Sequence, residues 1–553
     1  MLDPMKPCGY SVFQHLIPFG RCEETGKTPY IKYAGSFVYL DITDMMLIPP
    51  YRKMWLFTAG NMMEELKLSV EYVVKREEFT KQKGNMLGVL KAILMVWIIV
   101  LPRLIWNLIF CLRPEDTSEH YLNFIEDRIL KAKSKIMSCD DKYKRVVIAK
   151  NALSTLLFEI LLNWAPKLMS GIISFGLMRK LIEPSPTSEQ DLNALMRGLP
   201  GNVTTEMDLE IGDLADVART EPQVSAWLQN GKDLTLHGLS LLPKTDSLRF
   251  RDALSHFLDK YGSRGNAEID ISRPRWRDNP AAILHAISGN LTNTDAGHHR
   301  EHHQRLVKEG EEAGKRLVAL APWYKRPILR RLVRNGRGYG AIREHHKFLM
   351  IRLMGELRKA ILNVAQSHVD SKHLNSVEDI WMLHLDEIVA LPSMTEDELQ
   401  ALVCDRKEHF QMHSKLKPPR VLTSEGECVN VMPNSKDIPD GALGGLGTSS
   451  GIVEGVVNVI LDPHSTVLHS GEILVTRCTD PGWTPLFINA AGLVMEVGGY
   501  LTHGSVVSRE YGIPAVSCIA DATSVLKTGM RVRVDGTRGY VEILQEGSTD
   551  ERN

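Results

Sequence analysis

Apolar residues recur along most of the first 407 positions at the spacing of one helix face. Between 118 and 182 they fall three and four residues apart, which predicts long amphipathic helices. The clearest run comprises Leu153, Leu156, Leu157, Ile160 and Leu161. Similar patterns continue to about Lys407, so we expect residues 1–407 to form a mainly helical domain.

The last part of the chain has the pattern of short strands. Runs of apolar and β-branched residues alternate there with short helical segments and turn residues. The runs lie at 453–460, 473–476, 493–497, 514–518, 530–534 and 540–543. A polar, proline-containing stretch at 408–440 is typical of a linker. The sequence therefore predicts a multidomain α+β protein, with a β/β/α domain at 441–545 and a tail at 546–553.

The apolar stretch Ala92–Leu112 is as long as a membrane span but contains Pro102, Arg103 and Asn107. An arginine near the centre of a spanning helix costs about 2.5–3.5 kcal/mol. Two helices broken at Pro102 and packed as a buried or partner-facing hairpin fit the sequence better. Crossing a membrane or lying on its surface are less favoured alternatives.

The composition is that of a soluble globular protein, with 43% apolar and 24% charged residues and a formal net charge of −1. This balance gives no general attraction to nucleic acids or anionic membranes. The eight cysteines have no C-x-x-C or zinc spacing, and the N-terminus lacks the pattern of a signal peptide. We expect a reducing, cytoplasmic location and no nucleic-acid partner.

The strongest candidate for chemistry is His503. An apolar run ends at Gly498 and Gly499, where the absence of Cβ permits close approach by another molecule. A short helix from about Ser505 to Tyr511 follows His503, so the histidine lies at a helix N-terminus, where negative charge is favoured. A neutral imidazole in that place can act as a nucleophile towards phosphorus.

These positions resemble the phosphohistidine signature of the phosphoenolpyruvate-utilising enzymes. The matching pattern is G-G-x-x-T-H-G-x-V-V-x-R-E-x-G-I-P-A-V from Gly498 to Val516, within a likeness that covers about 443–543. It implies a swivelling domain in which His503 carries a phosphoryl group, with Thr502 as a second catalytic residue. Residues that would support the loop and the phosphate are Gly498, Gly499, Ser505 and Arg509. A structural histidine that caps a helix is the alternative interpretation.

Tyr261–Trp276 concentrates charge among small and apolar residues. Such a cluster is either a buried ion-pair network or a polar site. The stretch also resembles the Y-G-x-R-G-x-x-E-x-D segment of rifampicin phosphotransferase-like proteins. Glu268 and Asp270 are candidate general bases for an acceptor hydroxyl, and Arg264 is a candidate phosphate clamp.

Arg343 and Lys347 are further acceptor-site candidates. At a spacing of four residues they share one helix face, where two cations could receive a phosphohistidine. The family resemblance places an R-E-x-x-K helix beside the acceptor cleft, and an ordinary exposed face is the alternative. The histidines at 298, 299, 302 and 303 lie in a segment charged all round, so we expect a solvated helix and no metal site.

The resemblance implies a phosphotransferase that moves a phosphoryl group from an ATP-derived donor to a small-molecule hydroxyl. ATP and Mg2+ are expected for the family, but we find neither a nucleotide-binding loop nor the ATP-grasp domain that normally precedes this region. The alternatives are a phosphocarrier that depends on an ATP-grasp protein in trans, or phosphoenolpyruvate synthase-like activity. The synthase carries a pyruvate-binding barrel after the histidine domain, and only about ten residues follow Ile543 here.

Overall fold

The protein was analysed as a computed structural model that describes residues 3–16, 22, 25–62, 64–80, 86–111, 113–231, 233–293, 295–416, 418–429, 431, 438–439, 441–463, 468–500 and 502–545. The predicted tail at 546–553 and several positions of the predicted linker lie outside the described residues. The architecture confirms the predicted α+β class: helices up to His413 form a helical domain, and a sheet-containing C-terminal domain follows from Leu443.

The first part of the helical domain combines short helices with one β-hairpin. Its elements are α1 (Pro7–Leu16), β1 (Ile31–Ala34), β2 (Phe37–Leu40), α2 (Thr43–Met46), α3 (Pro49–Met62), α4 (Glu64–Val74) and α5 (Glu77–Thr80). Strands β1 and β2 pair antiparallel. Helix α1 contacts the central helix of the domain, so this segment is part of the same body.

The predicted helical hairpin with a break at Pro102 is wrong. A single helix, α6 (Met86–Ile105), runs through Pro102 and continues as one π-helical turn, Trp106–Phe110. Val100 and Leu104 are buried on its inner face. Pro102 removes one backbone hydrogen bond inside this segment, and the packing of Val100 and Leu104 holds the chain helical on both sides of it.

The rest of the helical domain is built from longer helices. They are α7 (Pro114–Met137), α8 (Lys142–Leu181), α9 (Pro186–Ala194), α10 (Val203–Arg219), α11 (Pro222–Asn230), α12 (Leu236–Leu241), α13 (Leu248–Tyr261), α14 (Ala281–Asn293), α15 (His298–Leu320), α16 (Arg326–Gly340), α17 (His345–Asp370), α18 (Leu385–Ala390) and α19 (Glu396–His413). Short 3-10 turns occur at Lys244–Asp246, Val377–Met382 and Leu391–Ser393.

Helix α8 is the centre of this domain. It packs against α16 and α17, and its residues Leu153 and Ile160 share one apolar core with Met354 and Ile361. By length and composition α8 could also cross a membrane, with a mean hydropathy of 1.5, and one third of its apolar window is buried in the protein. A core helix of a soluble protein has the same properties.

The C-terminal domain has the three layers that the strand pattern predicts. Its elements are β5 (Leu443–Gly444), β6 (Leu446–Ser449), β7 (Ile452–Val459), β8 (Glu472–Thr476), α20 (Thr484–Phe487), β9 (Ala490–Met495), α21 (His503–Tyr511), β10 (Ala515–Ser517), α22 (Ala522–Val525), β11 (Arg531–Asp535) and β12 (Tyr540–Gln545), numbered after the hairpin β3 (Val421–Leu422) and β4 (Cys428–Val429) between the domains.

Strand β7 belongs to both β layers. Its first half pairs antiparallel with β11, and its second half pairs parallel with β8. Alternate residues then enter two separate cores: Ile473 and Val475 face the second sheet, whereas Leu474 faces the helices. Successive side chains point to opposite faces of a strand. The order of residues within β8 therefore decides which side chain enters which core.

Candidate active site

The turn that leads into α21 holds His503 in place. Thr502 is the N-cap residue of this helix. Its hydroxyl donates to the carbonyl oxygen of Gly499 at 2.8 Å, and the backbone N–H of Gly499 returns a bond to that hydroxyl at 3.1 Å. The Ser505 hydroxyl lies 3.1 Å from the Thr502 hydroxyl. His503 is therefore the first residue of the helix, two positions earlier than the predicted start.

The glycines around His503 allow packing inside the C-terminal domain. A Cβ on Gly498 would lie 2.6 Å from the Ser517 hydroxyl, and one on Gly504 would lie 2.2 Å from the Thr479 hydroxyl. Gly498 and Gly499 are buried, and at Gly498 the close approach is made by Ser517 of strand β10 rather than by another molecule. Arg509 supports the same turn, since its Nε donates to the Ser505 carbonyl at 3.0 Å.

The imidazole of His503 points into the helical domain. Its side chain is 9% exposed, and Nδ1 lies 3.7 Å from Oε2 of Glu344. On the other side, Nε2 lies 3.1 Å from the hydroxyl of Thr484, and the ring meets Phe487 edge-on. The neighbours of the ring are thus a carboxylate, a hydroxyl and an aromatic ring.

The charges around His503 act on its protonation. Burial lowers the pKa of His503 below its usual value, and Glu344 opposes this shift. Burial by itself would raise the pKa of Glu344, but Arg343, His503 and Lys347 together hold it well below its usual value. Glu344 is therefore an anion at neutral pH, and His503 is a neutral base.

The acceptor-site candidates from two distant stretches meet here. Glu268 is fully buried, with Lys347 Nζ at 3.3 Å and Arg264 Nη1 at 3.6 Å from its Oε1. Arg343 pairs with Glu344 at 2.5 Å. Arg343 lies in the turn before α17 and Lys347 in its first turn, so the two are neighbours without sharing a helix face as predicted.

Several polar atoms in this cluster have no hydrogen-bond partner in the described part of the chain. They are all three guanidinium nitrogens of Arg264, both carboxylate oxygens of Glu268, Nη2 of Arg343 and Nδ1 of His503. Glu268, Arg264 and His503 are held by ion-pair distances of 3.3–3.7 Å without well-formed hydrogen bonds, and a buried polar atom that gains a hydrogen bond from a ligand is stabilised. The arrangement therefore suits a ligand that offers both anionic oxygens and a hydroxyl.

The structure does not bring Asp270 into this cluster. One carboxylate oxygen accepts the backbone N–H of Ser272 at 2.9 Å, the other lies 3.8 Å from Nε of Arg273, and a Cβ on Gly9 of α1 would lie 2.5 Å from Oδ1. Arg275 donates to the Glu268 and Asp270 carbonyl oxygens. The charged stretch Tyr261–Trp276 therefore contains both a buried polar network, around Asp270 and Arg275, and one side of the candidate site, at Arg264 and Glu268.

Asp480 and Thr484 are site residues that the sequence did not single out. Asp480 accepts the backbone N–H of Ala267 at 2.5 Å across the domain boundary. Burial raises the pKa of Asp480 to about 6. Ala267 has a φ of 50°, an unusual conformation for a residue with a Cβ. The local sequence of a turn does not show which domain its polar side chains will contact, so sequence patterns alone could not identify this contact.

A second group of contacts fixes the C-terminal domain on the helical domain. Glu510 accepts hydrogen bonds from Nδ2 of Asn202 at 3.0 Å and from the Thr205 hydroxyl at 3.2 Å. The Tyr511 hydroxyl donates to Asp208. Burial raises the pKa of Glu510 to about 7. The buried carboxyls at this interface hold the two domains in the orientation that points His503 at Glu344.

The residues around His503 do not fit a magnesium ion. The carboxylates of Glu344 and Glu268 each have a cationic partner, whereas Mg2+ is held by carboxylates free to coordinate it. Elsewhere, ligand atoms of Asp213, Asp216 and His299 lie within 4.8 Å of one another. Asp213 is bonded to His299 and Arg300, and Asp216 pairs with Arg219. These pairs leave neither carboxylate available as an open ligand.

Comparison with known proteins gives consistent results. The family model described as the rifampicin phosphotransferase fourth domain matches residues 163–344, and the PEP-utilising enzyme mobile domain matches residues 468–539. The site residues of the helical domain and of the C-terminal domain lie within these matches. The exception is Lys347, three residues beyond the end of the first match.

Relatives cover nearly the whole chain. A rifampicin phosphotransferase of Bacillus subtilis is 32% identical over 98% of this chain and 61% of its own length, and one from Streptomyces sviceus has the same values. A prodigiosin synthesizing transferase, PigC of Serratia marcescens, is 28% identical over 62% of this chain and 39% of its own length. The chain thus spans about three fifths of the length of the rifampicin phosphotransferases.

Proposed function

Because the chain is related to the rifampicin phosphotransferases over 98% of its length, we propose that it is a phosphotransferase that works through a phosphohistidine. His503 accepts a phosphoryl group from an ATP-derived donor and passes it to a hydroxyl of a small molecule held by the helical domain. The observation that carries the proposal is the position of His503, buried against Glu344 with Arg343 and Lys347 beside it.

Nε2 is the nucleophilic atom. The carboxylate of Glu344 lies on the Nδ1 side of the ring, so the proton of the neutral imidazole is held on Nδ1 and the lone pair is on Nε2. The hydroxyl of Thr484, next to Nε2, can donate to that lone pair in the resting state. Glu344 acts as a positioning residue that selects the tautomer.

Phosphoryl transfer takes two displacements at phosphorus. First, the Nε2 lone pair attacks the donor, a P–N bond forms, and the P–O bond to the leaving group breaks with its electrons on oxygen. Next, the acceptor hydroxyl attacks the same phosphorus, the P–N electron pair returns to Nε2, and the hydroxyl proton passes to Glu268. Arg264, Arg343 and Lys347 neutralise the charge on the phosphoryl oxygens.

The two steps take place in different positions of the C-terminal domain. In the docked position His503 is 9% exposed, so a donor reaches it only after the domains separate. ATP and Mg2+ act at the donor site, on an ATP-grasp domain in the same polypeptide or on a separate protein, and the residues around His503 take no part in holding them. We place the reaction in the cytoplasm, where cysteines stay reduced; the eight cysteines, all among the described residues, form no disulfide.

The acceptor is a hydroxyl-bearing small molecule, and rifampicin is the first compound to test because relatives carry its name. The helical domain that would hold this molecule provides Glu268 as the proton acceptor and Arg264 as the anion-binding group.

Chemical phosphorylation of the chain tests His503 directly. Phosphoramidate transfers phosphoryl groups to histidines without an enzyme, and we expect acid-labile, base-stable phosphate on a peptide that contains His503. His503→Ala removes this label, whereas His373→Ala, at an exposed position, keeps it. Thermal unfolding of each variant verifies that it is folded. Unchanged labelling in His503→Ala would refute the phosphohistidine and leave the structural-histidine interpretation.

Transfer is then measured on the phosphorylated chain. Adding rifampicin is expected to remove the phosphate from His503 and produce a phosphorylated antibiotic, and Glu268→Gln slows that second step but not the first. Incubation with ATP, alone or with an ATP-grasp protein, separates an autonomous enzyme from a phosphocarrier that needs a partner. Phosphate that stays on the histidine with every hydroxyl compound offered would favour the carrier.

A further inference from the structure

The segment formed by α6 and its π-helical turn has two different faces. The inner face is fixed to the helical domain: Arg331 Nε donates to the Leu108 carbonyl oxygen at 2.9 Å, and the Tyr339 hydroxyl donates to Asn107 Oδ1 at 3.2 Å. Val100, Leu104 and Asn107 are buried on this face. The segment is therefore a fixed part of the protein surface.

The opposite face, which we call the outer face, is apolar and exposed. Its residues lie three and four positions apart or next to each other, and each is 42–64% exposed. They are Ile98, Leu101, Ile105, Trp106, Ile109 and Phe110. The rings of Trp106 and Phe110 lie 5.4 Å apart. Contiguous apolar surface of this kind marks a site of contact with another molecule or with a membrane.

The sequence of this segment carries cations and no acidic residue. Between Phe79 and Pro114 the sequence contains five Lys and Arg residues and no Asp or Glu, although the whole chain has a net charge of −1. Of these five, Arg103 and Arg113 have side chains among the described residues. Arg113 is 79% exposed and lies 3.5 Å from Asp116, which is itself 66% exposed, so this exposed pair leaves Arg113 accessible to a headgroup. An apolar helix face with tryptophan and phenylalanine, flanked by cations, is the pattern of helices that lie in the headgroup region of anionic membranes.

The segment is unsuited to two other arrangements. A membrane-spanning orientation would require lipid around the whole helix, but the inner face is packed on the helical domain. A symmetric contact with a second copy would bring two sets of cations together with no acidic residue of the segment to offset them. A bilayer with anionic lipids can cover the apolar surface and pair its headgroups with the cations.

We propose that the outer face of α6 and its π-helical turn binds the surface of an anionic lipid bilayer, with Trp106 and Phe110 in the headgroup region. The interaction is peripheral: the apolar side chains enter the interface, and Arg113 contacts lipid headgroups. It would bring the phosphotransferase to a membrane without a spanning helix, independently of the chemistry at His503.

Flotation with lipid vesicles tests this proposal. The whole chain is mixed with vesicles of phosphatidylcholine alone or of phosphatidylcholine with phosphatidylserine, and the fraction that floats with the vesicles is measured. We expect binding to the anionic vesicles, weaker binding to the neutral ones, and loss of binding at high salt. Equal binding to both kinds of vesicle, or none to either, would overturn the proposal.

Substitutions on the outer face identify the binding surface. Trp106→Gln with Phe110→Gln is expected to abolish flotation, whereas Leu241→Gln with Leu461→Gln, at positions 70% and 62% exposed elsewhere, leaves it unchanged. Arg113→Gln is expected to weaken binding to anionic vesicles by up to about fivefold. The size of the free protein is measured in parallel. If the outer-face substitutions instead dissociate a dimer and leave flotation intact, the face is a protein interface.

Discussion

At the scale of single residues, the protonation of His503 depends on the groups on each side of its ring. Glu344 on the Nδ1 side and Thr484 on the Nε2 side come from different domains. Burial and nearby cations keep the imidazole neutral, and the carboxylate decides which nitrogen carries the proton. In the proposed mechanism, a residue of the helical domain therefore prepares the nucleophile of the C-terminal domain.

Glu344→Gln should lower the pKa of His503 further. Glu344 is the group that opposes the effect of burial, and its removal also leaves Arg343 without its anionic partner next to the ring. Both changes disfavour the imidazolium. The measurement is an NMR titration of the His503 ring protons, with Glu378→Gln at an exposed position as the control. An unaltered pKa would mean that Glu344 does not face His503 in solution.

At the scale of elements, two helices meet end to end across the domain boundary. Glu510, near the C-terminus of α21, binds the side chains of Asn202 and Thr205 at the N-terminus of α10. Asn202 also caps α10, since its Oδ1 accepts the backbone N–H of Thr204 at 2.9 Å. One asparagine therefore serves both the start of a helix and the contact between domains.

This contact should make domain docking depend on pH. Burial raises the pKa of Glu510 from 4.5 to about 7, so the docked form binds the proton more tightly than a separated, solvated form. The stabilisation of docking by protonated Glu510 is fully present below pH 4.5. It is lost as the pH rises from 4.5 to about 7. The loss amounts to about 3 kcal/mol at most. The population of the separated form should increase over this range in small-angle scattering.

Glu510→Gln should make this dependence shallower, because an amide does not titrate. It should not abolish the dependence, since burial also raises the pKa of Asp480 to about 6 in the same interface, while the lowered pKa of His503 acts in the opposite direction. Glu119→Gln, at an exposed position, is the matched control. A variant with the same pH profile as the natural chain would show that Glu510 titrates normally when docked.

At the scale of the whole molecule, the proposed mechanism requires the C-terminal domain to separate from the helical domain and to dock again. The docked interface contains a close backbone approach: a Cβ on Gly482 would lie 2.6 Å from the carbonyl oxygen of Gly265 and 2.7 Å from the backbone nitrogen of Asn266. These atoms belong to the helical domain. Gly482 therefore matters for docking more than for folding of its own domain.

Gly482→Ala should separate the domains without unfolding either one. The added methyl group cannot be accommodated by rotation of a side chain, because the atoms it meets are backbone. We expect a larger radius of gyration in small-angle scattering and unchanged circular dichroism. Gly176→Ala, on a helix with nothing within 4 Å of the new Cβ, serves as the control. If the compact shape persists in the Gly482 variant, the docked interface is not the dominant form in solution.

The sequence by itself determined the α+β class, the three-layer C-terminal domain and a short helix next to His503 that ends before Gly512. These follow from local rules: strand alternation fixes which side chains enter each core, and Gly512, at φ 71°, ends α21 as its position in the pattern predicts. Arg264 and Glu268 were also recognisable as candidates, because charged residues among apolar ones are unusual. Arg343 and Lys347 were candidates through their spacing and the family resemblance.

Only the tertiary structure decided how these parts meet. It brought Glu268 and Lys347 together, left Asp270 outside the cluster, and paired His503 with Glu344, contacts between residues more than 70 positions apart in sequence. It also kept α6 continuous through Pro102, with one face buried and one exposed. Periodicity records that a residue is apolar or polar, whereas the partner it meets depends on the packing of whole elements, which no local pattern contains.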